Sequence, residues 1–138
     1  SKSYMYCIST TPYHSPFHVR YSWHIPYAVD ARLMNETIKK IIGMHDFSSF
    51  KKKNEPYRSH EREVLKAAVR RRGGFIYVFV EATGFLRYMV SNIVGTLVLV
   101  VEGKICNDDF IAILQAKDRT SAGPTAPPQG LFLRRIRY

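Results

Sequence analysis

Tyr4, Tyr6 and Ile8 alternate with Met5, Cys7 and Ser9, a period of two that predicts a strand closed by Pro12. Residues 15 to 27, SPFHVRYSWHIPY, are rich in rings and histidine but carry no period, and read as an ordered loop packed on the core. At Asp30 the spacing becomes helical. Ala31, Met34, Ile38, Ile41 and Ile42 form the buried stripe of a helix running from an Asp30 cap to about Ile42, with Lys39 and Lys40 suited to its last turn and Gly43 as its stop.

After HDFSSF the chain turns polar and basic in KKKNEPYRSHER, residues 51 to 62, which predicts a flexible surface loop. Alternation returns over residues 62 to 72, with Leu65, Ala67 and Val69 facing one way and Arg62, Lys66, Arg70 and Arg72 the other. Gly73 and Gly74 make a tight reversal, and Phe75 to Thr83 returns as the partner strand of a hairpin. Residues 84 to 104, GFLRYMVSNIVGTLVLVVEGK, read as a buried helix with one polar seam, Arg87, Ser91 and Gly95 at four-residue spacing. Something must lie over that seam. A further helix, roughly Asp108 to Ala116, presents Phe110, Ile111, Ile113 and Leu114. In SAGPTAPPQG, Pro124, Pro127 and Pro128 exclude helix and central strand, and LFLRRIRY closes the chain as a last strand.

These elements predict an α+β fold: one antiparallel sheet of about four strands with three helices packed on one face. A length of 138 residues suits a single domain, residues 1 to 138, with one core. The first residues enter a strand with no leading turn or cap, so the chain is expected to be part of something longer.

Charge narrows the partners. A formal net charge of +10 and a pI near 9.8 create a positive field that favours nucleic acid. Lys51, Lys52 and Lys53, then Arg70, Arg71 and Arg72, then Arg134, Arg135 and Arg137 form three clusters that a sheet can bring together on an RNA or DNA backbone, although a charge run is also the ordinary mark of a solvated surface. RRGGFIYVFV approaches the signature of an RNA recognition motif, with Phe75, Tyr77 and Phe79 on one side, but Gly74 and Phe75 stand where an aromatic and then a small residue belong.

Other chemistries fit less well. Cys7 and Cys106 suggest neither a disulfide framework nor a zinc site, which points to a reduced, intracellular setting. The apolar run Ile93 to Val101 is about half the ~20 residues of a membrane span, so no membrane partner is expected. His14 and His18 have a helical spacing, but Pro12 and Pro16 oppose a helix there, and His24, His45 and His60 complete no metal set. Asp30 and Asp108 read as helix starts, and Asp118 as an ion-pair partner of neighbouring Arg119, which leaves paired-carboxylate catalysis weakly supported.

Five stretches in one order carry a resemblance: KSYMY (2 to 6), GMHDFSSF (43 to 50), GFLRYMVSNIVGTL (84 to 97), AKDRTSAGPTAPPQGLFL (116 to 133) and the closing Tyr138. Together they resemble the C-terminal half of the TruA-type tRNA pseudouridine synthases, essentially end to end. The resemblance implies half of the pseudouridine synthase fold and an isomerase that converts uridine to pseudouridine in tRNA or other structured RNA, with neither metal nor organic cofactor. It also implies a base flipped into a basic cleft between two related halves. Tyr4 matches the aromatic-strand tyrosine that stacks on the flipped uracil, and Leu131 a leucine lining the base pocket.

The departures carry equal weight. The family's nucleophilic aspartate belongs to an arginine-threonine-aspartate segment of the N-terminal half. Asp118 stands in a different motif, KDRT, so this chain is expected to hold no catalytic nucleophile and to be inactive alone. At Ser91 the family normally has an arginine that pairs with the catalytic aspartate. Arg87, one turn earlier on a helix whose side chains lean toward the N-terminus, is expected to point away from position 91 and not to replace it. The expected partners are therefore the N-terminal half and RNA, with Lys51, Lys52, Lys53, Arg70 and Arg72 as phosphate contacts. A homodimer is a further expectation, on family precedent. The alternative is a non-catalytic RNA-binding relative, or a ribonucleoprotein component, that has lost the active-site arginine.

Overall fold

In the computed structural model, which describes residues 1–12, 20–27 and 29–137, β1 (Lys2–Ser9) is the strand on which the sheet is built. One edge pairs antiparallel with β5 (Phe75–Ala82) over its whole length, from Lys2 opposite Ala82 to Ser9 opposite Phe75. The other edge is shared. β6 (Leu131–Ile136) runs antiparallel along Lys2 to Tyr6, and the two-residue β2 (Trp23–His24) runs parallel beside Ile8 and Ser9. β4 (Glu61–Arg72) and then β3 (Gly43–Asp46) extend the sheet beyond β5. The predicted strands are thus present, joined by two short ones. Neither β2 nor β3 has enough residues for an alternation to register, which is why both escape a reading by period.

The hairpin between β4 and β5 turns at Gly73 and Gly74 as predicted, with Arg72 opposite Phe75 and a φ of 61° at Gly73. Its alternation differs in one place. A register shift between Val64 and Lys66 inserts Leu65 as an extra residue, so Val64, Ala67 and Val69 turn inward while Leu65 is 41% exposed.

α1 (Ala31–Ile38) begins at Asp30, whose carboxylate accepts the Leu33 amide at 3.0 Å, and tightens into a 3-10 turn at Lys39–Ile41. Ile42 therefore leaves the predicted stripe and is 40% exposed. α2 (Met89–Val101) is buried along almost its whole length, as a helix surrounded by the rest of its domain should be. Its predicted start is too early: residues 84 to 88 are not helical, and Tyr88 is left-handed at φ 65°. α3 (Asn107–Ala116) follows a Cys106 cap and begins one residue before the predicted Asp108, and the Asp109 carboxylate reaches back to the Cys106 amide.

All three helices supply one core. Met34 and Ile38 of α1, Ile93 and Leu97 of α2, and Phe110 and Leu114 of α3 meet Tyr6, Ile8, Ile76, Val78 and Val80 of the sheet. Each such side chain contributes about 2 kcal/mol by leaving water. The opposite sheet face is only partly covered. There Phe75, Tyr77 and Phe79 stack in a row at 6.3 and 6.4 Å, with Arg134 over Phe79 at 5.2 Å.

Candidate active site

The seam of α2 is covered by residues 122 to 126, the proline-bearing stretch. The Ala126 amide donates to the Ser91 carbonyl at 3.0 Å, and a Cβ on Gly95 would lie 1.7 Å from the Pro124 carbonyl oxygen. Only glycine permits that approach. The stretch then passes over β1, where Gly130 lies against the Tyr6 ring and the Tyr6 hydroxyl donates to the Pro127 carbonyl at 2.5 Å. Burial holds the Tyr6 phenol well above the usual tyrosine range, so it remains a donor.

Asn92, fully buried one residue after Ser91, ties three segments to the start of α2. Its amide donates to the Phe50 carbonyl at 2.7 Å, while its carbonyl accepts Thr125 Oγ1 at 2.6 Å and Arg119 at 3.1 Å. Arg119 also donates to the Gly123 carbonyl at 2.9 Å. The predicted ion pair of Asp118 with Arg119 does not form, because the Asp118 carboxylate instead accepts the Thr120 amide at 3.0 Å and caps the turn at Arg119–Ser121. Neighbours in sequence here point to different partners.

Tyr4 and Leu131 meet at a cavity of about 300 Å³ beside the first residues of α2. Tyr4 lies edge-on to Phe85 at 4.9 Å, and Tyr57 and Met89 complete much of the wall. Lys2 and Arg87 bring positive charge to it. Ser91 is 4% exposed and does not belong to that wall. Arg87 does, although the expectation for it concerned only its direction relative to position 91. The leaning argument requires Arg87 to be helical, whereas the left-handed Tyr88 places it in a bend before the helix. That bend is fastened twice, the Arg87 amide donating to Tyr57 Oη at 2.7 Å and its carbonyl accepting the Lys52 amide at 2.8 Å.

The five basic residues singled out by sequence separate. Lys52 and Lys53 face a second cavity, of about 530 Å³, with Arg119 and Tyr88. Lys51 instead donates to the Glu55 carbonyl at 3.2 Å. Arg70 and Arg72 border a third hollow, of about 450 Å³, with Met5, Tyr77, Phe79 and Arg134 on the helix-free face. Tyr57, Phe85, Tyr88, Asn92 and Arg119 escaped the sequence reading as site residues. Phe85, Tyr88, Asn92 and Arg119 lie within the stretches carrying the resemblance, which was their only signal, and Tyr57 lies outside them and had none.

Other candidates have local roles. His45 Nε2 lies 3.1 Å from the Ile42 carbonyl, and His60 Nδ1 lies 2.8 Å from Ser48 Oγ. His14, His18 and Tyr138 lie outside the described residues. Among the described residues no group of three or more His, Cys, Asp or Glu side chains is arranged to hold a metal ion, and no helix is long and apolar enough to cross a membrane. Cys7 is buried and Cys106 exposed, both as free thiols.

Comparison with known proteins gives this arrangement a context. A sequence profile described as tRNA pseudouridine synthase matches residues 37–138. Over 137 residues the chain is 43% identical to tRNA pseudouridine synthase A of Thermoanaerobacter sp. (strain X514), covering 99% of this chain and 56% of that protein. Its identity to the Moorella thermoacetica protein of the same name is 42%, with the same coverage, and to that of Methylacidiphilum infernorum it is 35% over 139 residues, covering 100% of this chain and 54% of that protein. The chain spans about half the length of the curated relatives it matches. With a profile match over most of its length and identities of 35 to 43% across nearly all of it, the chain belongs to the tRNA pseudouridine synthase family.

Proposed function

We propose that residues 1 to 138 act as the C-terminal domain of a tRNA pseudouridine synthase, forming one wall of a cleft that receives a uridine flipped out of tRNA. The observation that carries this reading is the meeting of Tyr4 and Leu131 at one cavity beside the start of α2. An everted pyrimidine stacks on the Tyr4 ring and packs its edge against Leu131, while Phe85 and Tyr57 exclude water from the glycosidic bond. The reaction breaks the bond from C1′ to N1, turns the base and forms the bond from C1′ to C5. The C5 proton leaves and N1 gains one, so no atom is lost.

The carboxylate that activates the nucleotide comes from the N-terminal half, and this chain alone is inactive. With serine at position 91, Arg87 provides the positive charge facing that carboxylate from this side of the cleft. Its present neighbour, Glu55, is 4.0 Å away in a partly exposed contact and is readily exchanged.

The test joins this chain to the N-terminal half of the Thermoanaerobacter relative and measures pseudouridine in tRNA. The joined protein is expected to form pseudouridine, the chain alone none, and Tyr4→Ala or Arg87→Ala in the joined protein should slow formation by about 100-fold, the scale of one lost electrostatic or positioning contact. Pseudouridine made by the chain alone would overturn the proposal.

A second reading, a non-catalytic RNA-binding relative, is favoured by Ser91 itself, a small buried residue where the family has its arginine. Under that reading the joined protein binds tRNA without modifying it, and Ser91→Arg restores activity.

A further inference from the structure

Tyr88 stands between two cavities. It borders the Tyr4 and Leu131 cavity on one side and the cavity of Lys52, Lys53 and Arg119 on the other. Its backbone is left-handed, at φ 65° and ψ 6°, a conformation that costs a bulky residue about 1 to 2 kcal/mol. The bonds of Arg87 to Tyr57 and Lys52 hold it there. The result is a tyrosine 47% exposed, with Lys52 Nζ at 5.7 Å and the Arg87 guanidinium at 5.6 Å from its ring centre. Strain held in place by its surroundings, to keep an aromatic ring in solvent, contributes nothing to the core.

The cations beyond Tyr88 form no ion pair among the described residues, and the Asp118 carboxyl, held below its usual range first by the Thr120 amide, also feels the charge of Lys53. Among the described residues, no carboxylate lies within 4.0 Å of Lys52, Lys53 or Arg119. Arg119 is half-buried, and every partner of its guanidinium is a neutral oxygen: the Gly123 carbonyl, Asn92 Oδ1 and Thr125 Oγ1. The nearby Asp118 carboxylate is engaged by the Thr120 amide. A partly desolvated cation without an anion gains from an anionic ligand, and Thr120 and Thr125 add hydroxyl groups at the same cavity.

We propose that the cavity of Lys52, Lys53 and Arg119 holds the phosphodiester backbone of the RNA strand adjoining the flipped nucleotide, with the Tyr88 ring carrying the neighbouring base. This inference rests on the reading of the Tyr4 and Leu131 cavity as the nucleotide pocket. It commits to a single-stranded step of RNA: two successive nucleotides unstacked from each other, one on either side of Tyr88. The aromatic ring accepts any base, and the cations hold the backbone on its far side. The arginines of the helix-free face, Arg70 and Arg72, lie outside this path.

The experiment is a titration of the complete chain with a fluorescent five-residue oligouridylate across a salt series, with folding checked by circular dichroism. Lys52→Ala with Lys53→Ala should reduce the slope of log affinity against log salt by about 1.4, the value for two phosphate contacts on a single strand. Arg32→Ala with Lys104→Ala removes the same charge elsewhere and should leave the slope unchanged. Tyr88→Asn, which tolerates the left-handed backbone, should weaken binding roughly tenfold, and Tyr88→Phe, which keeps the ring, should bind as the parent does. Equal slopes for the Lys52 and Lys53 variant and the Arg32 and Lys104 variant, or full affinity in Tyr88→Asn, would overturn the proposal. The underlying reading fails separately. If the lysine and Tyr88 effects appear but Tyr4→Ala leaves pseudouridine formation intact in the joined protein, the strand site stands and the nucleotide pocket does not.

Discussion

Gly95 is the residue at which a local rule and a tertiary contact most directly oppose each other. Alanine is the better helix former by about 1 kcal/mol, so an isolated α2 would gain from Gly95→Ala. In the protein the new methyl would lie 1.7 Å from the Pro124 carbonyl oxygen, a backbone atom held by the Ala126 bond to Ser91. The clash decides the sign. Gly95→Ala should destabilise the chain by about 3 kcal/mol in chemical denaturation, and unchanged or raised stability would show that the 122 to 126 stretch does not sit on α2. Arg119 and Asp118 show the same limit of adjacency. Opposite charges side by side predict an ion pair, yet the carboxylate is nearer an amide two residues on and the guanidinium reaches back to α2.

At the scale of elements, the long periodic segments were legible and the short ones were not. Asp30 before a run with apolar residues at helical spacing specifies a helix start through nearest-neighbour chemistry alone, and its carboxylate meets the Leu33 amide. Asp30→Ala should therefore cost about 1 kcal/mol, seen as a lower midpoint in urea with an unchanged slope, and no loss would mean that the cap is redundant. β4 is legible as a strand, but the bulge that turns Leu65 outward is not, because an extra residue is defined only against the partner strand β5. α2 starts later than its composition predicts for a related reason. Gly84 to Tyr88 is compatible with helix by composition, and the left-handed turn at Tyr88 exists because Arg87 is bonded to Tyr57 and Lys52, thirty and thirty-five residues away in the chain.

For the whole molecule, charge bears on acid stability. The excess of 21 basic over 11 acidic residues leaves the fold self-repelling, and the carboxylates become more valuable for it. Burial would raise the Asp46 carboxyl, but the Ser48 hydroxyl and amide, with the charges of His60 and Lys117, outweigh it and hold it below the usual range. A pKa lowered on folding stabilises the protein above the unfolded value and loses that contribution as pH falls through the folded one. The melting temperature should therefore decline on acidification below the ordinary carboxylate range. Asp46→Asn should lower it at neutral pH, by an amount matching about 1 kcal/mol, and flatten the decline. An unchanged acid profile in Asp46→Asn would remove Asp46 from this role.

What the sequence determined by itself was the α+β class, the hairpin, the three helical segments and the family, since each is written in short-range periods, turn residues or ordered motifs. Tertiary structure alone decided which cations share a cavity, that Arg87 rather than Ser91 borders the one with Tyr4 and Leu131, and that Lys52 and Lys53 stand apart from Arg70 and Arg72. The reason is physical. A side chain's direction follows from backbone angles and bulges that distant hydrogen bonds impose, and charge runs that look equivalent along the chain are divided by the sheet that separates its two faces.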